Sequence, residues 1–178
     1  MKNAYIYIDE NTIEVSLTQG QVCLIDACDM ALVGEYKWCA HKEGKAKKYY
    51  VRASLSKVNG KRKFLGLHRL IMSVTNPKIK IDHIDMNPLN NRKSNLRLAT
   101  ASQNGYNQTA HLNSKTGVKN ISWHKQRNKY VLYIKMNGKA KHYGYFDTIE
   151  EAIAKRDELL PLLHKEFANN KDRYNRDK

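Results

Sequence analysis

The apolar residues of this chain never run for more than a few positions, and they recur in short alternating segments separated by turn-forming pairs. A period of two marks a half-buried strand, and a Gly that follows Gln or Asn gives the positive φ angles that tight turns require. Such pairs separate apolar segments at Gln19-Gly20, Asn59-Gly60 and Asn137-Gly138. No stretch approaches the twenty or so apolar residues that a membrane-crossing helix needs. The pattern predicts an α+β protein with small antiparallel sheets: an N-terminal β-rich platform, a central ββα unit, and a C-terminal three-stranded antiparallel sheet packed on one helix.

Boundaries follow from where the pattern breaks. Residues 1–67 read as the platform, with strands at 14–17 and 21–25, a short helix within 29–38, and a hairpin of strands at 49–55 and 63–67. This platform carries basic side chains such as Lys45, Lys47, Lys48 and Arg62 toward a partner. Residues 68–112 read as a short helix at 68–72, a strand at 78–83, a polar loop, a strand at 96–99 and a helix from 100 to about 110, opened by the capping-box pair Thr100 and Gln103. Residues 113–168 read as strands at 118–123, 130–136 and 139–146, then a helix opened by Thr148 and Glu151, within which Pro161 predicts a kink or a restart. Residues 169–178 read as a basic, polar, frayed tail. If Asn137-Gly138 makes a plain two-residue turn, Lys139 and Lys141 share a face with Ile134 and Met136; a bulge or longer loop would turn them outward.

Charge narrows the function. Lysine and arginine total 32 against 17 acids, a net +15, which favours a polyanionic partner over a metabolic substrate. A membrane surface would need a strongly apolar helix face or a lipidation signal, and neither is visible. The first residues lack the apolar core of a signal peptide, so the expected location is cytoplasmic. Cys23, Cys28 and Cys39 form no C-x-x-C pair and read as reduced thiols buried as small hydrophobes.

The chemistry concentrates in the centre. Asp82 and His83 stand at a strand end, and Asn104 lies in the first turn of the following helix. In a hairpin-plus-helix unit the helix packs across the strands, so Asn104 can face Asp82. A carboxylate and an amide oxygen are hard ligands, suited to Mg2+ or Mn2+. His83, on the other side of the strand, has an ordinary pKa near neutrality and suits a general base. Asp85 is a rival ligand from the loop, and His68 reads as a capping or packing histidine. By itself an Asp-His pair is usually structural or solvated.

The longer stretch is more specific. Residues 82–104, DHIDMNPLNNRKSNLRLATASQN, with LHRLI at 67–71, resemble the HNH (ββα-metal) homing endonucleases of phages and mobile introns. That resemblance implies an endonuclease cleaving double-stranded DNA, of homing or free-standing phage type. It further implies that Asp82 and Asn104 hold one divalent metal, that His83 is the general base, and that Asn95 is the middle asparagine that steadies the loop by backbone hydrogen bonds. No organic cofactor is expected, and the chain could act as a monomer or a dimer.

Between residues 117 and 146 there are seven Lys or Arg and no acids, interleaved with Trp123, Tyr130, Tyr133, Tyr143 and Tyr145. Residues 115–168, through TGVK, Trp123, YVLYIK and YGYFDTIEEA, are similar to the DNA-binding domain of plant ethylene-response (APETALA-type) factors. The likeness implies DNA contacts at Lys119, Trp123, Lys125, Arg127, Tyr133, Lys135 and His142. The competing readings are a DNA-binding regulator with a relic nuclease unit, which the intact Asp82, His83 and Asn104 argue against, and an RNA- or ribosome-associated protein resting on charge and aromatics alone.

Overall fold

The computed structural model describes residues 2–43, 48–111 and 113–172; Lys45, Lys47 and the end of the polar tail lie outside them. Strands, short helices and turns alternate in the α+β manner expected, and the chain divides into two units, Met1–Ala99 and Thr100–Lys178.

In the first unit, β1 (Tyr5–Tyr7), β2 (Thr12–Ser16) and β3 (Val22–Asp26) form one antiparallel sheet in that order. A second sheet joins β4 (Trp38–Glu43), β5 (Lys48–Val58) and β6 (Lys61–Gly66), with α1 (Met30–Gly34) before it and α2 (Leu67–Ile71) after it. The third is the two-stranded hairpin of β7 (Lys80–His83) and β8 (Leu96–Ala99). Sequence periodicity misses β1, which is exposed throughout, and β4, where Trp38 opens a strand rather than ending a helix. Asn59 and Gly60 turn the β5–β6 hairpin at φ 50° and 73°, the conformation that favours Asn-Gly.

One core serves all three sheets. Ile13 and Ile25 pair across β2 and β3 with 0 % exposure, and Val51, Leu67, Ile71 and Leu96 pack into the same cluster. Full burial of each such side chain contributes about 1.5–3 kcal/mol. Trp38, also fully buried, satisfies its indole by donating to the Val33 carbonyl at 2.8 Å. Of the cysteines, Cys23 is buried and its thiol is pushed up to about 12 by burial and then by Glu14, but Cys28 is exposed, against the expectation that all three are core residues.

The platform and the hairpin are therefore not separate bodies. Strand β3 bonds to the loop after β7: Leu24 N–H donates to Leu89 O at 2.9 Å, and Asn91 N–H to Leu24 O at 2.8 Å. Asp26 accepts from Arg92 Nε at 3.2 Å and from the Lys93 amide at 2.7 Å, while the Lys93 ammonium pairs with Asp29. A boundary at 67/68 would cut this core in two, and the division falls instead after Ala99.

The second unit opens with α3 (Ala101–Tyr106), started by the Thr100–Gln103 capping box. It ends short of residue 110 because its last carbonyls find partners elsewhere: the Lys119 ammonium donates to Gly105, Tyr106 and Gln108 oxygens at 2.8, 2.6 and 2.6 Å. Tyr106 stacks on His164 at 3.8 Å and its hydroxyl accepts from the Asn137 amide at 2.8 Å, which anchors α3 in this unit. Strands β9 (Ile121–His124), β10 (Lys129–Met136) and β11 (Lys139–Phe146) form a sheet ordered β11-β10-β9, and α4 (Ile149–His164) packs on it through Ile149, Ala152, Ile153 and Leu160. The helix is continuous through Pro161, which neither ends nor restarts it. Arg156, fully buried, bonds both oxygens of Asp172, so the start of the tail is anchored rather than frayed. Met136 pairs with Lys139, so Asn137-Gly138 is the plain two-residue turn, and the bulge lies farther on, at Leu132/Tyr133. Lys139 and Lys141 remain exposed although they share the face of Ile134, because β11 is an edge strand.

Candidate active site

Pleating sets the first feature of the site. In the β7–β8 hairpin Asp82 lies directly opposite Arg97, and His83 opposite Leu96, so successive side chains leave on opposite faces. Arg97 Nε and Nη2 both donate to Asp82 Oδ2, at 2.8 and 2.7 Å, in a pair that is almost wholly buried. A carboxylate held by two charged donors keeps a fixed orientation.

His83 is 7 % exposed and lies against the His68 ring, centroids 5.6 Å apart. Its Nε2 is 3.4 Å from Oδ1 of Asn91, which is itself fully buried. Burial lowers the His83 pKa; the Asn91 bond and the Asp85 and Asp82 charges oppose that shift, and the Lys48 charge adds to it. His68 is pushed down to about 4 by burial, then by His83 and Arg69. In both rings the shift favours the neutral form, the state in which an imidazole can accept a proton.

The loop between the strands is braced by its own side chains. Asn95 Oδ1 accepts from the Asp85 amide at 2.9 Å, while Nδ2 donates to Asp85 Oδ1 at 2.9 Å and to Asn90 O at 2.8 Å. Asp85 Oδ1 also accepts from the Asn87 amide at 2.7 Å, and Oδ2 from Asn90 Nδ2 at 2.8 Å. With both oxygens engaged inside the loop, Asp85 is a brace and a poor rival to Asp82 as a ligand. Lys48 Nζ reaches the Met86 carbonyl at 3.3 Å from β5.

Asp82, His83 and Asn95 thus come together in the first unit, whereas Asn104 stands in α3 of the second, its backbone N–H donating to Thr100 O at 3.0 Å. Among the described residues no three His, Cys, Asp or Glu side chains cluster as a metal-ligating group. Asp82 offers a hard carboxylate oxygen, the kind of donor accepted by a cation that keeps several waters and needs few protein ligands. Sequence reasoning missed Arg97 and Asn91. The hairpin register could have found the first, by counting back across the strands from Asp82; nothing in the linear order singles out the second.

The residues of the C-terminal sheet separate by face. Tyr133 pairs with His142 and Lys135 with Ala140, placing Tyr133, Lys135 and His142 on the side away from the helix. Rings run along that side: Tyr133 to His142 at 5.2 Å, His142 to Tyr145 at 4.7 Å, His124 to Tyr145 at 5.4 Å. Arg127 lies over Tyr145 at 4.7 Å, in the turn that also carries Lys125. Trp123 pairs with Tyr130 and belongs to the other face. Lys119 is used internally on the α3 carbonyls; its ammonium is pulled down to about 8 by burial and then by Arg156.

A profile of HNH endonucleases matches residues 65–106, which takes in Asp82, His83, Asn95 and Asn104. An uncharacterised HNH endonuclease of Acanthamoeba polyphaga mimivirus is 34 % identical over 155 residues, covering 84 % of this chain and 74 % of the relative. Protein 3.8 of Escherichia phage T7 is 37 % identical over 88 residues, covering 49 % of this chain and 72 % of its own. No solved structure matches the chain.

Proposed function

Because the chain belongs to the HNH endonuclease family, we propose that it hydrolyses phosphodiester bonds of double-stranded DNA with His83 as general base and one divalent cation, Mg2+ or Mn2+, held by Asp82 and Asn104. The observation that carries the reading is the pairing of a neutral, buried imidazole with a rigidly held carboxylate on consecutive residues of one strand end. His83 accepts a proton from water as the water oxygen bonds to phosphorus. The bond from phosphorus to the 3′ oxygen breaks, leaving a 5′-phosphate and, after that oxygen is protonated, a 3′-hydroxyl. Bound, the cation would stabilise the charge that develops on the scissile phosphate and the leaving oxygen. Asp82, kept in place by Arg97, supplies a carboxylate that needs no reorientation to serve as a ligand. The inclusion of Asn104 is supported by the profile match, which runs from 65 to 106 and so spans both residues.

DNA is held, on this reading, partly by the outer face of the C-terminal sheet, where Tyr133, Lys135 and His142 lie beside Lys125 and Arg127. A three-stranded sheet backed by one helix, as here, is an element that can read base edges in the major groove. Lys119 and Trp123 fall outside that face.

The test is direct. Supercoiled plasmid with Mg2+ or Mn2+ should become nicked or linear, with 5′-phosphate ends, and a chelator should stop it. His83→Ala should lower the cleavage rate by at least about 100-fold, the scale of general-base catalysis, while DNA affinity stays near that of the unaltered protein. Cleavage at an unchanged rate would remove His83 from the reaction.

A further inference from the structure

We infer that Asn91 is a positioning residue that makes Nδ1, not Nε2, the nitrogen of His83 that takes the proton. The inference rests on His83 being the base, and it goes beyond that reading by naming the reactive atom and the group that selects it.

A side-chain amide has a donor end and an acceptor end, and its neighbours decide which way it points. Asn91 Nδ2 lies 3.2 Å from the Pro88 carbonyl, which can only accept. The opposite orientation would set two oxygens against each other there. Oδ1 is therefore the end that faces His83 Nε2, at 3.4 Å, and the ring nitrogen must donate. In a neutral imidazole one nitrogen carries the hydrogen and the other the lone pair, so a donating Nε2 leaves the lone pair on Nδ1.

The amide is held from several sides. Asn91 is 0 % exposed, so water does not compete for it. Its backbone N–H donates to Leu24 O at 2.8 Å and Leu24 bridges to the neighbouring Asn90, so strand β3 fixes the height of the side chain beneath the ring. The N-terminal sheet, on this account, is part of the scaffold of the base, in the way that partners behind a reactive imidazole fix its tautomer elsewhere.

Two measurements test this. In the unaltered protein labelled with 15N-histidine, NMR of the neutral His83 ring should show the hydrogen on Nε2; a hydrogen on Nδ1 overturns the inference without any variant. Asn91→Leu, similar in volume but with no acceptor, should populate both tautomers and lower kcat by about 10- to 100-fold with KM for DNA little changed. Asn91→Asp, which still accepts from Nε2, should recover part of that loss and restore the single tautomer. If Asn91→Leu cuts at the unaltered rate, or the two variants are equally slow with the Nε2 hydrogen retained in both, Asn91 does not position the base. Persisting cleavage in His83→Ala would instead sink the functional reading underneath, and it is told apart because the tautomer result does not depend on cleavage.

Discussion

The loop after β7 and the outer face of the C-terminal sheet are both rich in polar side chains, yet they use them in opposite ways. In the loop, Asp85, Asn91 and Asn95 spend their hydrogen-bonding capacity inside the protein, and Asn91 and Asn95 are buried. On the sheet, Tyr133, Lys135 and His142 are exposed, and the Tyr133 and His142 rings rest against each other. A buried polar group is costly unless paired, so a cluster of paired ones holds its members in one geometry. An exposed ring or lysine fixes little and remains available to a partner. The first arrangement suits chemistry, where a small misplacement is expensive, and the second suits contact, where many weak interactions add.

Substitutions that strike each region separate the two roles. The largest effect is expected from Arg97→Met, which removes both donors from Asp82 Oδ2 while keeping most of the volume. Breaking a buried ion pair costs about 3–5 kcal/mol, so the midpoint of denaturant unfolding should fall steeply and cleavage should be lost. The double variant Arg97→Met with Asp82→Leu should regain much of that stability and none of the cleavage. Unfolding that is unchanged in the single variant would show that the pair does not brace the hairpin.

Next is Asn95→Ala. It withdraws an acceptor from the Asp85 amide and a donor from both Asp85 and Asn90, and each hydrogen bond lost costs about 0.5–1.5 kcal/mol. Faster hydrogen exchange confined to residues 84–95, with cleavage falling in parallel and DNA affinity nearly constant, is the expected outcome. A loss of affinity equal to the loss of cleavage would mean that the loop serves contact instead.

How much of this was legible depended on distance along the chain. The capping boxes at Thr100 and Thr148, the turns at Asn59-Gly60 and Asn137-Gly138 and most of the short strands were read correctly, because each is decided by neighbours a few residues away. Asp82 and His83 stood out through a local motif, and Arg97 was recoverable from the hairpin register. Asn91 was not, because its meaning comes from Leu24, far back in the chain, and from an amide orientation that no spacing encodes. The same long-range bonds made the platform part of the first unit, where composition alone had placed a boundary. Lys119 looked like a surface cation by sequence, and only the truncated end of α3 shows what it neutralises.

The smallest effect concerns the sheet. Lys135 is exposed on the same face as Tyr133 and His142, and its side chain has room to meet a phosphate. Phosphate contacts act through released counterions, so Lys135→Ala should weaken DNA binding by a few-fold on all sequences alike and reduce the slope of log K against log salt by about 1. The same change at Lys119 would give a different signature: loss of the cap on α3 and lower stability, with the salt slope preserved. Finding the slope change at Lys119 and not at Lys135 would reverse the assignment of faces and move the DNA to the other side of the sheet. Tyr133→Ala sharpens the matter further, since a ring that only packs against His142 would alter stability slightly and leave affinity alone, whereas a ring that meets the nucleic acid would alter affinity and leave stability alone.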